Sequence, residues 1–163
     1  MKKILVLLFC GLFLSGMAQD KVKIYNPEAD AAADLKIALE QADAQNKHVF
    51  IQLGGNWCPW CIRFHHYIQE TAVVDSILKA DYIVLKINYS KENKNVEMLE
   101  RFDFPQRFGF PVFVILDANG KRLHTQDSGF LESGKGYDEK KVMTFLRSWT
   151  PMAVNPETYS DKK

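Results

Sequence analysis

Short apolar runs alternate along the chain with longer stretches in which apolar residues recur at helical spacing. The first run, Ile4 to Leu14, is uncharged, follows Lys2 and Lys3, and ends near Gly16-Met17-Ala18. A basic start, an apolar middle and small residues ahead of a cut after Ala18 make residues 1–18 read as a secretory signal peptide. The run is shorter than the roughly 20 residues that span a bilayer, so a retained anchor is the weaker reading and no span is expected in the mature protein. Cys10 lies inside the run behind Phe9, where a lipoprotein signal would need a small residue. Residues 19–29 form a short polar segment in which Val22, Ile24 and Tyr25 are interleaved, as in a short strand or a tether.

Between Asp30 and Asn46, Leu35, Ala38, Leu39 and Ala42 mark the apolar face of an amphipathic helix. Val49 to Leu53 is an apolar strand closed by Gly54-Gly55-Asn56. Pro59 then opens a helix that runs to about Glu70, because the first helical N–H has no partner within the helix and its loss is tolerated. Val73 to Lys79 reads as a shorter helix, Tyr82 to Asn88 as a strand, Ser90 to Asn95 as a charged, Asn-rich loop, and Val96 to Phe102 as a short helix. Phe104 to Phe110 is aromatic and irregular. Pro111 begins the strongest strand, Val112 to Leu116, and Asp117-Ala118-Asn119-Gly120 turns the chain into a returning strand at Lys121 to Thr125. Ser128 to Gly136 reads as a loop. Asp138 caps a last helix striped by Val142, Met143, Phe145, Leu146 and Trp149, and Pro151 stops it. Residues 151–163 read as a polar, disordered tail. A strand–helix–strand start and a hairpin–helix finish predict one α/β domain over residues 30–150, with a mixed sheet and helices on both faces.

Charge removes some functions from consideration. The 21 basic and 20 acidic residues are interspersed. Such a near-neutral chain offers no electrostatic footing for nucleic acid or an anionic membrane. Cysteine usage points the other way. Of three cysteines, Cys10 leaves with the signal, so the exported protein keeps Cys58 and Cys61. A pair so close in sequence closes too small a loop to constrain much chain, which makes reactivity the better explanation for it.

The segment Asn56-Trp57-Cys58-Pro59-Trp60-Cys61 joins a strand to a helix. Cys58 falls at the helix N-terminus, where unpaired N–H groups favour an anion; that lowers a thiol pKa, and the thiolate is the attacking species in disulfide exchange. Cys61, one turn on, is placed as the resolving thiol. W-C-x-x-C in this setting resembles the active site of thioredoxin-like proteins. Gly109-Phe110-Pro111 ahead of an apolar strand matches that family's cis-proline, and the D-x-N-G hairpin and closing helix match as well. The resemblance spans roughly Asp30 to Trp149 and is nearest to exported members with a G-x-W-C-x-x-C site. It implies a three-layer α/β/α thioredoxin-like fold with a central mixed sheet, an N-terminal helical extension and a redox-active Cys58–Cys61 disulfide. Pro111 would lie beside Cys58, and the Phe110 backbone would pair with an extended substrate strand.

One position departs from the family. A buried acid often stands where this chain has Gln52, which cannot take a proton at physiological pH. His65, four residues after Cys61, is a conceivable but weak substitute, since a helical His is more often plain surface. Trp57 reads mainly as a packing residue and Trp60 as surface; with Phe110 and Pro111 they make the candidate substrate-binding set. Phe104 and Phe108 would extend that patch or fill core, and Arg63 and the Lys91–Lys94 run read as solvated faces.

The expected protein is therefore a monomeric thiol–disulfide oxidoreductase, periplasmic or secreted, acting on disulfide-containing exported proteins. It needs no cofactor and no metal, and a separate redox partner resets it. A reductase is preferred, because an isomerase normally needs a dimerisation or second domain and an oxidase a larger helical insertion. The rival class is a non-catalytic binding module that recognises a partner protein or carries a soft ion such as Cu(I), through Cys58, Cys61 and His65.

Overall fold

The computed structural model describes residues 22–160. The signal-peptide reading of residues 1–18, Cys10 included, lies outside the described residues. Four strands form the main sheet: β1 (His48–Gly54), β2 (Tyr82–Asn88), β3 (Val112–Leu116) and β4 (Arg122–Asp127). Their order is β2-β1-β3-β4, with β1 parallel to β2 and antiparallel to β3, and β3 antiparallel to β4. The two central strands, β1 and β3, are buried along their whole length.

Alternation along the central strands divides the core into two layers. Val49, Ile51 and Leu53 of β1, with Val112, Val114 and Leu116 of β3, pack against α1 (Ala31–Gln45) through Leu35, Ala38 and Ala42. Met98, Leu99 and Phe102, in and just after a short helix (Val96–Arg101), close the same layer. Phe50, Phe113 and Ile115 face the opposite side, where the long helices (Pro59–Glu70, Ala72–Asp81 and Glu139–Ser148) supply Phe64, Val74, Leu78, Val142, Phe145 and Leu146. In chain order these four helices are α2 (Pro59–Glu70), α3 (Ala72–Asp81), α4 (Val96–Arg101) and α5 (Glu139–Ser148). The result is the expected three-layer α/β/α arrangement with a mixed sheet.

Local chemistry sets the helix ends. The Asp30 carboxylate accepts from the N–H groups of Ala32 and Ala33 and caps α1, which ends at Asn46 in the left-handed region. Asp138 caps α5 by accepting from Lys141 N–H.

Several segments differ from their sequence reading. Residues 22–29 form a tether with no strand. The returning strand begins at Arg122 and extends to Asp127, beyond Thr125. Ser128–Gly136 is more than a loop: a 3₁₀ turn (Ser128–Leu131) leads into a miniature hairpin of β5 (Glu132–Ser133) and β6 (Gly136–Tyr137). The tail carries two short helical turns, α6 (Pro151–Val154) and α7 (Glu157–Ser160). Thr150 Oγ1 caps α6 by accepting from Ala153 N–H, and Pro151 occupies the first turn, so the proline that ends one helix starts the next. The Tyr159 hydroxyl ties α7 back to the Ala153 carbonyl.

Candidate active site

The chain leaves β1 at Gly54 and turns tightly, with Cys58 N–H donating to the Gly55 carbonyl at 3.0 Å. Both glycines are demanded by close approach. A Cβ on Gly54 would overlap Cys61 Sγ and the Tyr25 hydroxyl, and one on Gly55 would overlap the Tyr89 carbonyl oxygen and the Trp57 indole. Cys58 is the N-cap of α2, Pro59 its first residue, and Cys58 and Cys61 are joined in a disulfide. Cys58 Sγ accepts from Cys61 N–H at 3.1 Å, so a sulfur occupies the place usually taken by a capping oxygen. Both cysteines are buried, Cys58 at 3% exposure and Cys61 fully, so Cys58 is the nearer of the two to the surface.

The two tryptophans exchange their expected roles. Trp57 is 54% exposed; its indole N–H donates to the Tyr89 carbonyl at 2.7 Å, and its ring meets Phe110 edge-on at 5.4 Å. Phe110 in turn stacks on Tyr89 at 4.8 Å. Trp60 is half-buried, edge-on to Tyr137 at 5.5 Å, with the Arg63 guanidinium 4.4 Å above its ring. Helical phase explains this: Trp60, Phe64 and Tyr67 lie on one face of α2 and all three pack against Tyr137. Arg63 is exposed, in keeping with a solvated face, and its guanidinium also stacks on Trp60. Phe104 and Phe108 are both exposed, so neither fills core.

The Phe110–Pro111 peptide bond is cis, as the resemblance implied. Pro111 is buried, and Phe110 packs against the cluster that holds the sulfurs. Beside Trp57 runs a groove of about 570 Å³ whose walls include Pro27, Asn56, Tyr89, Lys91 and Lys94.

The largest omission from the sequence reading lies under the sulfurs. Tyr25, 4% exposed, forms a buried cluster with Cys58 and Cys61. Asn56 holds it there: Asn56 Oδ1 accepts from the N–H groups of Ile24 and Tyr25 at 2.8 and 2.9 Å, and its Nδ2 donates to the Tyr25 carbonyl at 2.8 Å. Gln52 is fully buried, and its Nε2 donates to the Tyr25 hydroxyl at 2.8 Å and to the Cys61 carbonyl at 3.1 Å. Burial pushes the Tyr25 phenol far above its usual pKa, so it stays protonated. His65 turns elsewhere, toward His66 and Lys86; burial first, then those two neighbours, lower its pKa.

Residues 30–118 match the family described as thioredoxin-like. Among curated proteins, the disulfide bond reductase DsbH of Chlamydia pneumoniae is 25% identical over 119 residues, covering 68% of this chain and 69% of that protein. The thiol:disulfide interchange protein DsbD of Pseudoalteromonas atlantica is 26% identical over 102 residues, 61% of this chain but 17% of that protein. Among solved structures, a disulphide isomerase from Xylella fastidiosa Temecula1 superposes with a TM-score of 0.68 at 22% identity, over 78% of this chain and 96% of that one, which is a likeness of fold.

Proposed function

The chain belongs to the thioredoxin-like family, and on that premise we propose that it reduces disulfides in exported proteins through Cys58 and Cys61. The chain is a thiol–disulfide oxidoreductase; the direction, the substrates and the roles of the two cysteines are the proposal. One observation carries it: a bonded Cys58–Cys61 pair at the start of α2, with Cys58 as the N-cap and Cys61 beneath it. The amide of Cys61 aimed at Cys58 Sγ, together with the positive end of α2, favours a thiolate at Cys58 over one at Cys61. Cys58 is then the nucleophile that attacks the substrate disulfide, and Cys61 attacks Cys58 to release the product.

The exposed ring of Trp57, Phe110 and the cis Pro111 supply the contact surface for an extended substrate, with Trp60 backing it from the α2 side. Export is supported by the signal-like residues 1–18. A similar protein named as a reductase favours that direction.

The test is capture. Cys61→Ser protein should accumulate mixed disulfides through Cys58 with exported proteins, and Cys58→Ser should not. A reduction potential near about −270 mV fits a reductase, whereas one near about −120 mV would make the protein a donor of disulfides. Cys61→Ser protein that captures nothing would remove the exchange reading altogether.

A further inference from the structure

Resolution needs Cys61 as a thiolate, yet Cys61 is fully buried and burial disfavours the charged form. The side chain next to it in the sheet, Gln52, has no proton to exchange. It also has no donor to spare, because one amide hydrogen goes to the Cys61 carbonyl and the other to the Tyr25 hydroxyl. The Cys61 carbonyl can only accept, so the amide orientation is fixed with Nε2 toward both groups. Tyr25 therefore receives a hydrogen bond on its oxygen while its own O–H hydrogen finds no protein acceptor among the described residues.

Tyr25 and the resolving cysteine share one buried cluster. The point where Gly54 would carry a Cβ lies within 3.0 Å of both Cys61 Sγ and the Tyr25 hydroxyl oxygen, so the two atoms flank the same small gap. Glycine at position 54 keeps the gap open. From this geometry we propose that Tyr25 is a catalytic residue that donates its O–H to the Cys61 thiolate, with Gln52 as the positioning residue that aims it.

The inference rests on the exchange reading above. Cys58 thiolate attacks one sulfur of the substrate disulfide; the Cys58–substrate bond forms, the substrate's own S–S bond breaks, and the first substrate sulfur leaves as a thiolate that solvent protonates. Cys61 gives its proton to solvent, and its thiolate attacks Cys58. The Cys58–Cys61 bond forms, the bond to substrate breaks, and the second substrate sulfur leaves and is protonated. Two electrons have passed from the pair to the substrate. Tyr25 stabilises the Cys61 thiolate while it exists and keeps its own proton, since its phenol is held neutral by burial and by the neighbouring Tyr137. In the reverse direction the same hydrogen bond stabilises Cys61 as the leaving thiolate, so the role is independent of direction.

Tyr25, on the N-terminal tether, packs against the pair, and Tyr137, on β6, acts on Tyr25. Lys86, opposite Gln52 in the register of β2 and held below its usual pKa by burial, and His65, one turn after Cys61 on α2, are titratable groups on the same side of the sheet. Glu132 and Arg63 act on Tyr137 from beyond it. The other side chains packed there, Ile24, Gln52, Trp60 and Phe110, carry no charge.

Tyr25→Phe keeps the ring and removes the donor. Reduced full-length protein mixed with excess 5,5′-dithiobis(2-nitrobenzoate) releases one thionitrobenzoate when the Cys58 thiolate attacks the reagent to form a mixed disulfide, and a second when Cys61 attacks Cys58 to resolve it. The first phase should keep its rate in Tyr25→Phe, while the second slows about tenfold or more, the worth of a hydrogen bond to a charged group. The pH midpoint of the second phase should rise by about one unit. Gln52→Leu, which leaves Tyr25 unaimed, should slow the same phase by a smaller factor, and it serves as the test if Tyr25→Phe does not fold. A second phase with unchanged rate and midpoint, or one slowed without any shift in midpoint, overturns the proposal. A wild-type protein that releases no second thionitrobenzoate overturns the exchange reading itself, which is a separate and recognisable result.

Discussion

Around Cys58 the neighbours are aromatic and open to water; beneath Cys61 they are buried, polar and fixed by hydrogen bonds. Trp57, Phe110 and Tyr89 form a rim whose members touch through ring faces and one indole N–H. Tyr25, Gln52 and Gly54 form a floor in which Gln52 Nε2 holds the Tyr25 hydroxyl and the Cys61 carbonyl, while Gln52 Oε1 is buried without a protein partner. Trp57, the exposed member of the rim, can be altered with little penalty to the fold, because exposed side chains contribute little to stability. The floor cannot, because a buried donor or acceptor left unpaired, or an atom too many, carries its full penalty. On the proposed reading the two halves of the site divide the work: the rim would meet the substrate, and the floor would set the state of the resolving sulfur.

Four changes would break or sharpen that division. Gly54→Ala should have the largest effect, since its Cβ has no room beside Cys61 Sγ and the Tyr25 hydroxyl. A loss of about 1–3 kcal/mol is expected from such overpacking, read as a lower unfolding midpoint in denaturant. Asn56→Ala removes three hydrogen bonds to the Ile24–Tyr25 backbone. About 1–2 kcal/mol should be lost, and limited proteolysis should now cut near Tyr25 before the rest of the domain opens. If Asn56→Ala leaves that segment as resistant as before, the floor is held by packing alone.

Trp57→Ala should shift stability by about 0.5 kcal/mol at most. Its effect should appear as a higher KM for protein disulfides with no change toward small aromatic disulfides; equal effects on both substrates would show that the rim also tunes the sulfurs. The smallest effect belongs to His65, away from both halves. Its pKa is lowered below the ordinary value of about 6.5, by burial, Lys86 and His66 in that order, so the unfolded chain binds the proton more readily than the folded one. Folding stability should thus decline as the pH falls through that value, and His65→Gln should reduce the decline. Thermal midpoints at pH 7.5 and pH 5.5, roughly one unit either side, measure it.

The sequence was readable where a signal is local. Each strand of the main sheet is a short run bounded by turn residues, and the Cys pair sits where an apolar strand meets Pro59, so both the sheet and the reactive centre could be placed. The roles of the tryptophans were also written in the chain, in the spacing of Trp60 to Phe64 and Tyr67, but only a reading of helical phase brings that out. Tyr25 had no such signal. A single tyrosine in a polar stretch has no period, and what gives it meaning is contact with Gln52 and Asn56, some 30 residues away. The nearest hint was Gln52 itself: an uncharged amide within an apolar strand must find partners, and one of them had to come from outside the motif. The miniature hairpin after Ser128 was hidden for a similar reason, since its strands are two residues each and show no alternation.

The clamp between Asn56 and Tyr25 gives the fold and the chemistry different starting points. A fragment begun at Asp30, which keeps the cap of α1, would retain every strand and helix of the two-layered core, and its circular dichroism should resemble that of the longer chain. It would nevertheless open the underside of Cys61 to water and leave the Gln52 amide and the Asn56 side chain without the groups they hold. For anyone trimming or fusing this protein, the boundary to respect lies ahead of Ile24, in a stretch that looks like dispensable linker.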